Sequence, residues 1–275
     1  MRDGDAKAPD ETDSPFEPVD VERIADSVVE QIEDLLVSGA LRPGQKLPPE
    51  RELAEAMEVS RPKLREAMHR LEAAGLIEVR RSDGAFVREL VAPVLAPPMI
   101  ALCARHTGAF LDFLEYRREQ ESFAAGLAAE RATEADLAAL SSAVAAMEAE
   151  RGDDLPGTMA RHDLAFHLAL VEASHNAMLL HVMRSVYDLV SQGVFARRDV
   201  LYQRAETRGA LIQQHREIAE AVRARAPERA RAAAAAHIDF VAGAFREAET
   251  TASRQRVARK RRAGTRLAES RARGR

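Results

Sequence analysis

The stretch from Pro43 to Arg88, PGQKLPPERELAEAMEVSRPKLREAMHRLEAAGLIEVRRSDGAFVR, constrains this chain more than any other. Its pattern predicts two short helices joined by a tight turn, then a two-stranded hairpin. The first helix opens at Pro49-Glu50, residue types suited to a helix N-terminus, and runs apolar through Leu53, Ala54 and Met57. After Glu58-Val59, Ser60 stands where it would cap a second helix. There Leu64, Ala67, Met68 and Leu71 share one side at 3.6-residue spacing, while Arg61, Arg65 and His69 project from the other. An apolar face for docking and a cationic face for the major groove are what a recognition helix needs. Gly75 ends that helix. Leu76–Arg81 and Ala85–Arg88 then read as the two sides of a wing around Ser82-Asp83-Gly84, with Arg80 and Arg81 at its mouth. A charged helical hairpin without a ligand is the plainer reading, and it leaves the joint occurrence of cap, turn, basic face and wing unexplained.

At 275 residues the chain has room for roughly two domains and a sizeable core. Tryptophan is absent and helix formers dominate, so the chain is expected to be mainly α. A net charge of -4 does not advertise nucleic-acid binding, but its distribution is uneven. The first twenty residues hold seven acids against Arg2 and Lys7, whereas Thr251–Arg275 hold ten Lys or Arg against the single acid Glu269. The lone cysteine, Cys103, rules out an internal disulfide framework and fits a reducing compartment. Neither a signal peptide nor a membrane-spanning apolar run is found, so a soluble cytoplasmic protein with no membrane partner is expected.

Residues 1–18 read as a disordered acidic N-terminus and 19–90 as the winged helix-turn-helix domain. Within the latter, a helix from about Val21 to Ser38 should pack through Ile24, Val28, Ile32, Leu35 and Leu36. Ala92-Pro93 and Ala96-Pro97-Pro98 place a linker at 91–108, because paired prolines cannot continue a helix. Residues 109–250 read as an antiparallel all-α bundle, with helices near 109–131, 134–151, 156–174, 176–197, 208–225 and 227–249. Residues 251–275 form a basic tail, either frayed or continuing as a surface helix.

Four side chains of the bundle stand out. Asp163 and His167 lie four apart on one helix and point the same way from adjacent turns. His215 and His237 sit on two later helices joined at Ala226-Pro227. If that hairpin packs on the 156–174 helix, one carboxylate and three imidazoles meet at a point. Such a set suits zinc, nickel or manganese, with positions left for water or a small carboxylate on an octahedral ion. Histidine is scattered elsewhere, at His106, His162, His175 and His181, so spacing alone leaves surface or satisfied core histidines as the alternative. Arg117, beside Phe110, Phe113 and Leu114, either faces the interior and grips an effector carboxylate or pairs with Glu121 on a solvated face.

LPPERELAEAMEVSRPKLREAMHRLEAAGLIEVRR resembles the winged helix-turn-helix of the GntR family. The order Arg117, then Asp163-Leu164-Ala165-Phe166-His167, then His215 and His237 resembles the FadR-type effector domain called FCD. The likeness covers about residues 21–250 and is nearest to regulators of glycolate, lactate and pyruvate-dehydrogenase operons. The resemblance implies that Arg51 contacts phosphate or base and that Arg61 and Arg65 read the major groove. It further implies that Ser60 and Lys63 fix phosphates and that the wing, Arg81 included, reaches the minor groove. It makes Asp163, His167, His215 and His237 the ligands of a divalent metal, zinc first, and turns Arg117 toward the effector. The function it implies is a homodimeric transcription factor on a pseudopalindromic duplex, steered by a small 2-hydroxy or 2-oxo carboxylate. The rival of another class is a metal-dependent enzyme acting on such an acid, for which the chain lacks a convincing nucleophile, GxSxG or Gly-rich phosphate loop. A second rival is a nucleic-acid-compacting protein, suggested by the basic tail.

Overall fold

The computed structural model describes residues 22–90, 98, 101–102, 105–150, 155–191, 201–202 and 204–273. The expected disordered segment 1–18, most of the proline-marked boundary at 91–98, Cys103, the separator Arg151–Asp154 and the helical stretch 192–197 lie outside the described residues. Two compact units are found, Met1–Leu90 and Val91–Arg275.

The first unit contains α1 (Glu22–Val37), α2 (Glu50–Ala56), α3 (Arg61–Ala73) and the hairpin β1 (Ile77–Arg80) and β2 (Gly84–Val87). Its core joins Ala25, Val28, Ile32 and Leu36 of α1 to Leu64, Ala67, Met68 and Leu71 of α3, with Leu47, Ala54, Ile77 and Val87. The expected α1 stripe is corrected at two positions, because Ile24 is 42% and Leu35 38% exposed while Ala25 is fully buried. At 100° per residue, Ala25, Val28, Ile32 and Leu36 form one stripe, and the bulkier Ile24 and Leu35 fall together on one flank of it. The turn into α3 runs through Glu58 at φ 54. Ser60 occupies the N-cap position in extended conformation, yet its hydroxyl makes no capping bond. Pro62 at the second helical position removes one of the two N–H groups from which such a hydroxyl could accept.

The wing is antiparallel, with Ile77 opposite Val87, Glu78 opposite Phe86, Val79 opposite Ala85 and Arg80 opposite Gly84. Its tip turns through Ser82 at φ 65 and Gly84 at φ 104. The second is a conformation that costs glycine little and most side chains a good deal. The chain ahead of α2 pairs along the outer edge of β2, through Leu47 N–H to Ala85 O and Val87 N–H to Gln45 O, both 2.9 Å.

The second unit is helical: α4 (Thr107–Arg131), α5 (Glu134–Ala149), α6 (Leu155–Glu172), α7 (Ala177–Ser191), α8 (Ala205–Arg223) and α9 (Pro227–Arg273). The α8–α9 connection turns at Arg225, φ 55, just before Pro227 starts the last helix. Buried alanines at 124, 125, 128 and 129 let α4 lie close to its neighbours. Phe110, Phe166, Leu211, Ile218, Ile238, Val241 and Phe245 fill the space between α4, α6, α8 and α9. Helix α9 runs on through the basic tail to Arg273, so of the two expected forms the continuing helix is observed. Among the described residues, no helix is long and apolar enough to cross a membrane.

Candidate functional site

Helix α6 carries Asp163 and His167 one turn apart, and α8 and α9 bring His215 and His237 against them. All four are buried, at 0–1% exposure, and each offers a ligand atom within 4.8 Å of the others. Asp163 Oδ1 lies 3.4 Å from His215 Nε2 and 3.6 Å from His167 Nε2. The two Nε2 atoms are 3.4 Å apart. His237 bonds through Nδ1 to Gln214 Oε1 at 3.0 Å, which leaves its buried Nε2 without a hydrogen-bond partner. Phe166 packs its ring against His215, centroids 4.6 Å apart, closing an apolar wall on the cluster.

A second layer of charge holds these imidazoles. Glu121 of α4 lies 2.8 Å from His167 Nδ1, accepts a 2.6 Å bond from Arg117 Nε and a 2.7 Å bond from the Tyr187 hydroxyl. Burial alone would raise the Glu121 carboxyl, but Arg117 and His167 outweigh it and hold it well below the usual carboxylate range. An ionised Glu121 beside Nδ1 favours a proton there, and in the neutral imidazole that would leave Nε2 as the donor atom facing Asp163 and His215. Burial works against a charged His167, yet Glu121 and Asp163 prevail and its pKa stands above the ordinary imidazole value. His237 goes the other way, pushed well down by burial and by the neighbouring His215 and His167. A neutral imidazole with a bare, buried Nε2, beside two more nitrogens and a carboxylate, is a donor set that fits a divalent cation.

Arg117 is buried, which removes the solvated-face alternative, and it nevertheless pairs with Glu121. Its Nη2 has no hydrogen-bond partner. Burial would lower its pKa, and Glu121, Tyr187 and Asp163 raise it further than burial lowers it, so the guanidinium stays charged. The residue that sequence reasoning undervalued is Glu121. Its position four after Arg117 was visible, but its hold on His167 depends on which faces of α4 and α6 meet. Tyr187 and Gln214 gave no advance signal.

In the first unit, the expected DNA contacts lie on the outside of α2, α3 and the wing. Arg51, Ser60, Arg61, Arg65 and Arg81 are exposed, and Lys63 is half-buried. Several cations are tied to carboxylates: Arg65 is forked on Glu50 at 2.9 and 3.2 Å, Arg51 meets Glu55 at 3.3 Å and Lys63 meets Glu66 at 2.7 Å. At the wing tip Asp83 is paired with Lys46 at 2.9 Å, which offsets its charge beside an anionic ligand.

Two family models match: "Bacterial regulatory proteins, gntR family" over residues 24–87 and "FCD domain" over residues 112–240. The chain is 34% identical to the HTH-type transcriptional regulator LutR of Bacillus subtilis (strain 168), over 78% of this chain and 99% of that protein. It is 34% identical to the Glc operon transcriptional activator of Escherichia coli (strain K12), over 79% of this chain and 87% of that one. It is also 34% identical to a putative L-lactate dehydrogenase operon regulatory protein of the same strain, over 80% and 85%.

Proposed function

The chain belongs to the GntR family of bacterial regulatory proteins, FadR subfamily with an FCD domain, and is a DNA-binding transcriptional regulator rather than an enzyme; on that premise we propose that it controls an operon for using a small carboxylate and responds to that acid. The reading is carried by the buried set Asp163, His167, His215 and His237, joined through Glu121 to Arg117 and its unpartnered Nη2. These four residues would hold a divalent ion, zinc first and nickel or manganese next, and an ion that takes more than four ligands would also bind the oxygens of a 2-hydroxy or 2-oxo acid. Arg117 supplies the counter-charge: its Nε is engaged by Glu121, and Nη2 remains to donate to a carboxylate oxygen. The apolar wall around Phe166 excludes water and strengthens that attraction. Relatives named for a Glc operon and for an L-lactate dehydrogenase operon support an acid of this size.

On the DNA side, Arg61 and Arg65 of α3 enter the major groove, Arg51, Ser60 and Lys63 hold phosphates, and Arg81 brings the wing to the minor groove. Two copies related by a two-fold axis then demand a short pseudopalindromic operator. Tyr116 and Phe123, seven apart on α4 and 37% and 43% exposed, give a second copy an aromatic stripe to cover. Residues 19–90 form the reader, 109–250 the sensor and 91–108 the linker between them.

Elemental analysis of protein purified without chelator, combined with melting curves against glycolate, lactate and pyruvate, tests the sensor. Stoichiometric metal is expected, with a melting temperature that rises as RT ln(1 + [L]/Kd) for the cognate acid. His215→Ala should lose the metal and the response while keeping effector-free DNA affinity. Metal-free protein indifferent to every acid sinks the reading. Arg61→Ala should weaken operator preference by roughly 1–3 kcal/mol, as for one bidentate base contact.

A further inference from the structure

We propose that the basic extension of α9, residues 251–273, is a second DNA-contacting element that grips the phosphate backbone without reading sequence. The inference rests on the reading of the first unit as a DNA reader and begins from that reader's charge. Between residues 22 and 90 there are eleven Lys or Arg against fourteen Asp or Glu, and the twenty residues ahead of it add seven acids against two cations. A duplex carries one phosphate charge per roughly 1.7 Å of axis, and most generic affinity comes from neutralising it. A net-negative reader whose cations Arg51, Lys63 and Arg65 already face carboxylates is poorly supplied for that part of binding.

The extension has the opposite character. The buried side of α9 (Ala230, Ala234, Ile238, Val241) ends at Phe245. From Ala252 to Arg262 every side chain is exposed. Among the described residues, Arg254, Arg256, Arg259, Lys260 and Arg262 enter no ion pair. At 100° per residue these cations are spread around the whole circumference of the helix. A membrane-surface helix needs an apolar stripe opposite its charges, and none exists here, with Val257 the one large apolar side chain from 252 to 262. A polymer of phosphates is the partner that rewards cations on every side. From Thr250 to Arg273 the helix extends about 35 Å, close to one turn of the duplex. Tethering to a bound reader raises the local concentration of phosphate around it, so weak contacts suffice.

The test replaces Arg254, Arg256, Arg259, Lys260, Arg261 and Arg262 by glutamine in the full-length chain, glutamine being a comparable helix former. Binding to an operator duplex and to a scrambled duplex is followed by fluorescence anisotropy across salt concentrations. Both affinities are expected to fall at least about tenfold at low salt with their ratio unchanged. The log–log salt slope should become shallower by about 3 or more, out of the ~5 that six released counterions allow. Unchanged affinities and slope overturn the proposal, and so does binding of anionic phosphatidylserine vesicles by the wild type with a DNA salt slope indifferent to the substitutions. Arg61→Ala run alongside separates the two readings: it should collapse the operator-to-scrambled ratio and retain the slope. A wild type with no such ratio defeats the sequence reader, while the slope on scrambled DNA still judges the extension.

Discussion

Glu121 touches His167, Arg117 and Tyr187 at once, so one of the proposed metal ligands and the arginine proposed to face the effector share a single carboxylate. Its substitution therefore has two separable effects. Glu121→Gln keeps the shape but removes the charge that fixes the His167 proton on Nδ1. Loss of such a partner typically costs roughly 10–100-fold in metal affinity, which competition with a chromogenic chelator would measure. It also leaves the Arg117 guanidinium buried without its counter-ion, a loss of about 3–5 kcal/mol of unfolding free energy in urea titrations. Adding Arg117→Met should recover part of that stability, since no bare charge remains, without restoring metal affinity. Wild-type chelator competition in Glu121→Gln would reduce Glu121 to a purely structural partner of Arg117.

At the level of elements, α5 shows how local chemistry fixes where a helix begins. Thr133 and Asp136 make a reciprocal capping box, the hydroxyl accepting from Asp136 N–H while the carboxylate accepts from Thr133 N–H at 2.7 Å. Burial would raise Asp136, but bonds from Thr133 and His175 outweigh it, and its pKa lies below the ordinary 3.8. A depressed carboxylate stabilises the fold above its ordinary pKa, and that contribution is lost as pH falls through the folded-state value. Thr133→Ala should thus cost about 1 kcal/mol at neutral pH. The difference from wild type should shrink as urea unfolding is repeated from about pH 5 down toward pH 2, and a gap constant over that range would exclude the capping carboxylate as its source. The Thr-x-x-Asp signature was open to reading in the sequence, as were the breaks at Gly75 and Pro227. Helix existence was equally legible, because periodic apolar positions such as Leu64, Met68 and Leu71 are set by the helix repeat itself. The rotation of α1 was not: Ile24 outranks Ala25 on any hydrophobic scale, and the small side chain is inside because α3 lies close there. Likewise Asp163 and His167 announced a shared face by their spacing, whereas the approach of His215 and His237 depends on how α8 and α9 dock, which no local pattern encodes.

For the whole molecule, the proposed regulation requires that the acid and the operator discriminate between the same two states. If the carboxylate alters operator affinity by some factor, the operator must alter carboxylate affinity by that same factor, in the range of roughly 5–150-fold for typical couplings. Titrating lactate into metal-loaded protein with and without operator, and operator with and without lactate, should return one coupling factor by both routes. Two distinct factors would mean that the two titrations do not follow a common equilibrium. The carboxylate Glu50, forked by Arg65 in the free protein, enters this balance as a resident decoy. On the proposed reading an acceptor on the duplex has to displace it before Arg65 is won, and an edge accepting at two atoms would give each Arg65 nitrogen its own partner where Glu50 gives both a single oxygen. Such a pairing would set a threshold that an edge accepting at two atoms, as guanine does, clears more readily than one accepting at a single atom.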